Sequence, residues 1–405
     1  MEQSIWEKLK RVKISDLIHF FKFLIALPIA IFYKHMRKNM WLLCDTEAEA
    51  RDNAYWLFIY LRTQHPEKDA VFAIDKKSPD YSRVKKYGEI VQYGSIKHWI
   101  YYLAADINIS SQKMGKPNAA ICYVLEVYGL LKNKRVFLQH GIITAKLSFL
   151  FYEHTKMRMF VCSTKAEWQY VDKYYGYPKG YVKELGLCRF DSLHGFHTNK
   201  KKILFMPTWR MYIRNEISSY KEEERIRKFK NTRYFKAWNE LLHDQRLINL
   251  LHENDIELIF YPHREMQSFL HAFQIEDPSI TVASWPEYDV QEILKTAALL
   301  VTDFSSVSMD FAYMKKPLIY YQFDAEEFYG NHHERGYFDF KTEGFGPTCE
   351  TSDFVIKEIL EYYKNHFENR ECYLKRHNEY FDLWDKNNCE RTYEAIKELE
   401  DRKEL

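Results

Sequence analysis

Two histidines, a pair of adjacent serines and several arginines stand directly after short apolar runs, where an α/β protein exposes its functional groups. The apolar run at residues 297–302 gives way to Asp303-Phe304-Ser305-Ser306. Residues 307–314 follow, with Val307, Phe311 and Met314 on one helical face, and after Lys315-Lys316-Pro317 comes a second apolar run at 318–321. Strand, turn, helix and strand form one βαβ unit with parallel strands, and the turn lies at the strand end where open α/β sheets hold ligands. Ser305 and Ser306 then fall at a helix N-terminus, where hydroxyls and unbonded backbone N–H groups suit a phosphate. The plainer alternative makes Asp303 or Ser305 an N-cap.

Three further turns repeat the arrangement. Gln139-His140-Gly141 follows an apolar run, and a histidine there fits a general base, with Gly141 admitting a close backbone; the alternative is a structural histidine bonded to a carbonyl. Thr208 and Arg210 follow the run at 202–206, where Arg210 fits a bidentate phosphate clamp or, alternatively, a surface or interdomain salt bridge. His263 and Arg264 follow the run at 257–261 in the same way. Arg210, His263, Arg264, Ser305 and Ser306 should line one edge of one sheet, a set that reads as a nucleotide-diphosphate pocket. Neither GxxxxGK[ST] nor GxGxxG occurs, which counts against the usual ATPase and dinucleotide readings.

The elements that must position these groups fill two domains, the default for 405 residues. Residues 1–39 stand apart. Their apolar run at 17–33 is interrupted by His19, Lys22 and Pro28 and flanked by Lys8, Lys10, Arg11 and Lys13 on one side and Lys34, Arg37 and Lys38 on the other. It is shorter than the roughly 20 apolar residues of a membrane span and has no small-residue cleavage signature. The expectation is a helix lying in, or dipping into, an anionic membrane surface, with a buried helix as the alternative. Residues 40–195 alternate strand and helix as a doubly wound domain. Residues 197–202 read as a linker, and 196–405 as a second such domain, with one long helix over 235–253, a loop over 326–346 and helices from 353 to the end. A net charge of +2 argues against a dedicated duplex nucleic-acid binder. Seven cysteines without CxxC spacing argue against a zinc site or disulfide framework and fit a reducing cytoplasm.

The ordered segments FLQHGI, LGLCRFDSL, MPTWR, YPHRE and VTDFSSVSMDFAYMKKPLIYYQFD resemble the CDP-glycerol glycerophosphotransferase family, the teichoic acid primases and polymerases, with capsule-building and CDP-ribitol-using relatives. The resemblance covers about residues 40–395. It implies a GT-B-type fold, two Rossmann-like domains facing across a cleft, and work at the cytoplasmic face of the membrane. It implies a catalytic base at His140, beside Gly141, and donor-phosphate contacts at His263, Thr302, Asp303, Ser305 and Ser306. It carries the family's PTWR motif onto Thr208 and Arg210, its closing aspartate onto Asp324 and its RG pair onto Arg335-Gly336. Gln139 stands where the family often has Trp, and Cys188 where its GxPRxD motif has Pro.

The activity so implied is transfer of an alditol phosphate from CDP-glycerol or CDP-ribitol to a hydroxyl of a lipid-linked glycan or polyol-phosphate chain, with release of CMP. No metal-binding carboxylate cluster adjoins the motifs, so no tightly bound cofactor is expected, although Mg²⁺ could ride on the donor diphosphate. A homo-oligomer is compatible with this reading. Two other functions fit the same architecture: a nucleotide-sugar glycosyltransferase and a non-catalytic membrane partner in envelope assembly.

Overall fold

Apolar runs of four or five residues, one of them extended by Thr302, form strands buried on both faces, as parallel sheets covered by helices require. The computed structural model describes residues 13–131 and 133–402. It divides into two compact units. One comprises residues up to Ile142, Ser148–Ser192 and those from Asp385 on; the other comprises Ile143–Leu147 and Leu193–Trp384.

The first unit is built on a parallel sheet of β1 (Trp41–Cys44), β2 (Ala70–Ile74), β3 (Ile90–Gln92), β4 (Ile107–Ser110), β5 (Lys134–Phe137), β7 (Met159–Cys162) and β8 (Val182–Glu184), in the order β3-β2-β1-β4-β5-β7-β8. The order reverses at β1, so the ends of β1 and β4 flank a topological switch point. The remaining strand of this stretch, β6 (Ala145–Lys146), belongs to the second unit. There it pairs antiparallel with β14 (Glu334–Arg335).

The second unit carries β9 (Asn199–Met206), β10 (Glu257–Phe260), β11 (Ile280–Val282), β12 (Ala297–Thr302), β13 (Leu318–Tyr321) and β15 (Thr348–Cys349), all parallel, in the order β11-β10-β9-β12-β13-β15. Its core packs Phe205, Trp238, Phe260, Phe269 and Tyr321 between sheet and helices. Two doubly wound parallel sheets are the fold expected from the sequence.

The boundaries differ from those expected. The break falls between Ser192 and Leu193 rather than after residue 195. Residues 199–202, expected in a linker, are the first half of β9. The C-terminal helix Asn388–Asp401, expected in the second domain, belongs to the first. Asp191 draws it there, accepting the backbone N–H groups of Asn388 and Cys389 at 2.9 and 2.8 Å. Gly186, at a φ of +80°, lets the same helix approach so closely that a Cβ would meet Asn388 Oδ1 at 1.7 Å. The single helix expected over 235–253 is two helices, Arg233–Leu242 and Gln245–Asn254, and the side chain of Asp244 caps the second. The loop expected over 326–346 contains the helix Ala325–Asn331 as well as β14.

Residues 1–12, with Lys8, Lys10 and Arg11, lie outside the described residues. The helix Ile14–Met36 runs through Pro28 and lies along the first unit. Ala26 and Ala30 are buried there, and Phe23 and Tyr33 pack on Trp99 and Tyr101.

Candidate active site

His140 sits at the turn that leaves β5, and three sequence-distant segments hold that turn. Asn53, first residue of the helix Asn53–Gln64, donates its amide to the carbonyl of Gln139 at 2.8 Å. Its Oδ1 accepts the backbone N–H of Arg189 at 3.0 Å. Gln139 adopts a left-handed φ of 64°, costly for a residue with a Cβ, and is fixed there by its side chain, which donates to Val161 O at 2.5 Å and Glu167 Oε1 at 3.1 Å. Arg189 donates to the carbonyl of His140 itself at 2.8 Å.

The imidazole is also partnered. His140 Nδ1 lies 2.5 Å from Asp52 Oδ2, while Asp52 Oδ1 accepts from Asn53 N at 2.8 Å and Arg189 Nη1 at 3.0 Å. Burial would raise the Asp52 carboxyl, but His140 and Arg189 outweigh it and hold Asp52 below the usual carboxylate range. Asp45, at the end of β1, is buried and accepts from Asp52 N, Ala54 N and Ser111 Oγ at 3.0, 3.1 and 2.6 Å. Burial and the neighbouring Asp52 push its carboxyl up to about 7. Sequence reasoning placed His140 but missed Asp52 and Asn53. Asp52 reads as an ordinary N-cap ahead of an apolar helix, and 88 residues separate it from His140.

In the second unit the expected residues do share one sheet edge. Strands β10, β9 and β12 are adjacent and parallel, so His263-Arg264, Thr208 and Ser305-Ser306 leave the same ends of neighbouring strands. Trp209 stacks over His263 with ring centroids 6.1 Å apart, and the exposed Arg264 lies 3.7 Å above the Trp285 ring. The Thr208 hydroxyl is buried without a hydrogen-bond partner among the described residues. Ser305 Oγ accepts from Val307 N at 3.3 Å, so it partly takes the capping role, whereas Ser306 is the N-cap residue of Val307–Tyr313 without a side-chain cap bond.

Arg210, Asp303 and Asp324 correct the expectation of a direct phosphate clamp. Arg210 is wholly buried, and its Nε and Nη2 donate to Asp324 and its Nη2 also to Asp303, at 2.8–2.9 Å. Its Nη1 donates to the carbonyls of Thr208 and Trp209 at 2.9 and 3.3 Å. All five guanidinium N–H groups are thereby engaged. Asp303 and Asp324 draw Arg210 towards the protonated form against its burial. Asp303 Oδ1 also accepts from Thr208 N and Phe304 N, each at 2.8 Å. Thr302 is likewise engaged, its hydroxyl donating to Met206 O at 2.7 Å. These residues form the bracket that fixes the turns; the turns themselves offer Thr208, His263, Arg264, Ser305 and Ser306.

His332, which sequence reasoning did not single out, accepts Met211 N at 3.0 Å and packs edge-on to Trp209, 4.4 Å between centroids. Its neighbour along the chain, the exposed Arg335, stacks 4.2 Å over Tyr329. Gly336 approaches Thr144 so closely that a Cβ would lie 2.3 Å from its carbonyl oxygen. Among the described residues no group of three or more His, Cys, Asp or Glu side chains could hold a metal ion.

Comparison with known proteins adds four findings. The family profile for CDP-glycerol:poly(glycerophosphate) glycerophosphotransferase matches residues 26–398. The minor teichoic acid biosynthesis protein GgaB of Bacillus subtilis is 34% identical over 382 residues, covering 91% of this chain, which spans only 40% of that relative. The teichoic acid glycerol-phosphate transferase of Staphylococcus aureus is 27% identical over 186 residues, 44% of this chain and 41% of the relative. Among solved structures, the wall teichoic acid polymerase TagF superposes with a TM-score of 0.64 at 15% identity, over 95% of this chain and 98% of that one. At that identity the likeness is one of fold.

Proposed function

The chain belongs to the CDP-glycerol:poly(glycerophosphate) glycerophosphotransferase family, and on that footing we propose that it transfers an alditol phosphate from a CDP-alditol to a hydroxyl of a lipid-linked glycan or growing polyol-phosphate chain. The oxygen of the acceptor hydroxyl bonds to the β-phosphorus, the bond from that phosphorus to the bridging oxygen breaks, and CMP leaves. His140 takes the hydroxyl proton. The donor diphosphate lies against His263, Arg264, Thr208, Ser305 and Ser306, which offset its charge as the bond breaks. A Mg²⁺ ion carried on the diphosphate would share that task without needing a protein cage.

The observation that carries this reading is the alignment of those five residues at the ends of three adjacent strands, β10, β9 and β12. The orphaned Thr208 hydroxyl fits it, because a buried donor without a partner calls for a ligand or water. The relatives named for teichoic acid synthesis support the substrate class. The reaction takes place at the cytoplasmic face of a membrane, held there by the helix Ile14–Met36, whose outward face is apolar.

The test is incubation with CDP-glycerol and CDP-ribitol separately, each with lipid-linked acceptors, following CMP release and product mass. A phosphodiester-linked alditol with CMP is the expected product. A glycosidic product from a sugar nucleotide, with neither CDP-alditol consumed, would replace this reading with a glycosyltransferase.

A further inference from the structure

His140 is the residue of the first unit to which the chemistry was assigned, and the structure adds a partner to it. We infer that Asp52 is its positioning residue, fixing which ring nitrogen holds the proton and where the other points. A carboxylate only accepts, so the Nδ1 that meets Asp52 Oδ2 must carry a hydrogen, and the lone pair then resides on Nε2. Nε2 is therefore the atom that takes a proton from an acceptor hydroxyl. This role rests on the transferase reading only in what Nε2 does next.

The two oxygens of Asp52 divide their work. Oδ1 serves the fold, capping the helix Asn53–Gln64 through Asn53 N and pairing with Arg189. Oδ2 serves His140. A carboxylate used only as a cap would need no second partner of this kind. Its charge is supported where it stands, at the positive end of a twelve-residue helix and beside the Arg189 guanidinium. Meanwhile the imidazole is exposed, its side chain 64% accessible against 14% for Asp52, so a buried anion orients an exposed base. The backbone is held equally firmly. Asn53 and Arg189 bind the carbonyls of Gln139 and His140, so the main chain too is located by the residues that surround Asp52.

The division of labour makes Asp52→Asn a clean test. The amide oxygen retains the Oδ1 contacts, and the NH₂ replaces Oδ2 with a donor. That donor favours the opposite tautomer, with the hydrogen on Nε2 and the lone pair on Nδ1. Nitrogen-15 NMR of the full-length protein, with the His140 signal identified by its loss in His140→Gln, reads the tautomer directly. The wild type should show protonated Nδ1 and bare Nε2, and Asp52→Asn the reverse. Turnover per folded molecule should fall by about 10² or more, within the range a general base supplies, while CDP-glycerol affinity is retained and the melting temperature drops only modestly, as the Arg189 pair loses its charge. Asp52→Ser keeps a capping oxygen but loses the ring contact, and should lose turnover equally should Asp52→Asn fail to fold. Wild-type His140 with its hydrogen on Nε2, or either variant turning over normally, would overturn the assignment. So would a loss of stability with turnover per folded molecule unchanged. Should the wild type release no CMP from either CDP-alditol, the transferase reading fails, and the tautomer measurement still decides the role of Asp52.

Discussion

Arg210 and Asp303 meet at 2.8 Å with neither side chain more than 1% exposed, and Asp324 closes the group from the end of β13. One cation thus ties the ends of β9, β12 and β13 together beneath the turns. Removing it would leave two buried carboxylates facing each other, a loss of about 3–5 kcal/mol for a broken buried pair. Arg210→Ala should therefore lower the denaturation midpoint of the second unit, and any change in donor affinity should follow from that unfolding. A variant as stable as wild type in urea, yet defective in donor binding, would return Arg210 to the phosphate pocket.

Arg264 and Ser306 make the opposite forecast. Arg264 is exposed, and the Ser306 hydroxyl makes no cap bond to the helix that its backbone carbonyl begins, so neither side chain contributes much to folding. A hydrogen bond to a charged group is worth about 1.5–3 kcal/mol. Arg264→Ala should weaken CDP-glycerol binding roughly tenfold or more, with Ser306→Ala somewhat milder because its hydroxyl is neutral. Calorimetric titration of both variants, alongside their unfolding curves, checks this. Unchanged affinity in both would take the β10 and β12 turns out of the donor site.

The strands were legible because burial on both faces writes them as unbroken apolar runs, as in LIYY over β13. The break at His243-Asp244 was not, because the apolar spacing continues on both sides without Gly or Pro, and the stop lies in the Asp244 side chain reaching Arg246 N. The site divides the same way. His140, His263 and the serine pair could be singled out as candidates because each follows a strand. Arg210 was placed in the right turn with the wrong partner, since phosphate and buried carboxylates ask the same fork of an arginine. Asp52 was invisible because its contact with His140 exists only once helix and β5 are folded together.

Two buried histidines should make the protein acid-sensitive. Burial holds both His98 and His332 down at about 3, and each accepts a backbone N–H on Nδ1 that protonation would break. Unfolded, each binds a proton near 6.5, so their contribution is complete above that value and is lost as pH falls from about 6.5 towards 3. Asp45 opposes this with its carboxyl at about 7, which adds stability as pH falls from there towards 4. Two groups against one leave a net loss of roughly one proton's worth, about 1.4 kcal/mol per pH unit between pH 6 and 4.5. Melting temperatures across that range should fall. Asp45→Asn should steepen the fall, because it removes the opposing group. A stability profile flat from pH 7 to 4.5 would show that these histidines take up protons in the fold.

The helix Ile14–Met36 turns its polar side inward, the reverse of a helix on a water-facing surface. His19 accepts from Trp99 Nε1 at 3.1 Å, Lys22 donates to Gly94 O at 2.7 Å, Asp16 accepts from Asn118 at 2.8 Å, and Arg37 pairs with Asp69 and Glu89. The charge that interrupts the apolar run in the sequence is therefore spent on the protein. What remains outside between Leu17 and Phe32 is mainly apolar: Leu17, Ile18, Phe21, Leu24, Ile25, Ile31 and Phe32 are all about half exposed or more, with the polar Ser15, Lys34 and His35 confined to the helix ends. Contacts from Asp16 to Arg37 bind the helix along its length, so crossing a bilayer would require it to leave the first unit. It fits a helix lying in the plane of the interface, apolar face down. Phe21→Glu with Ile25→Glu should abolish binding to anionic vesicles while leaving the melting temperature unchanged, because neither side chain supports the core. Deleting residues 1–38 is a harsher change, since it also uncovers Trp99 and Tyr101, and it should lower stability as well as release the protein. Vesicle flotation of the two variants beside wild type separates the possibilities. If the glutamate variant floats as wild type does, the apolar face serves something other than lipid.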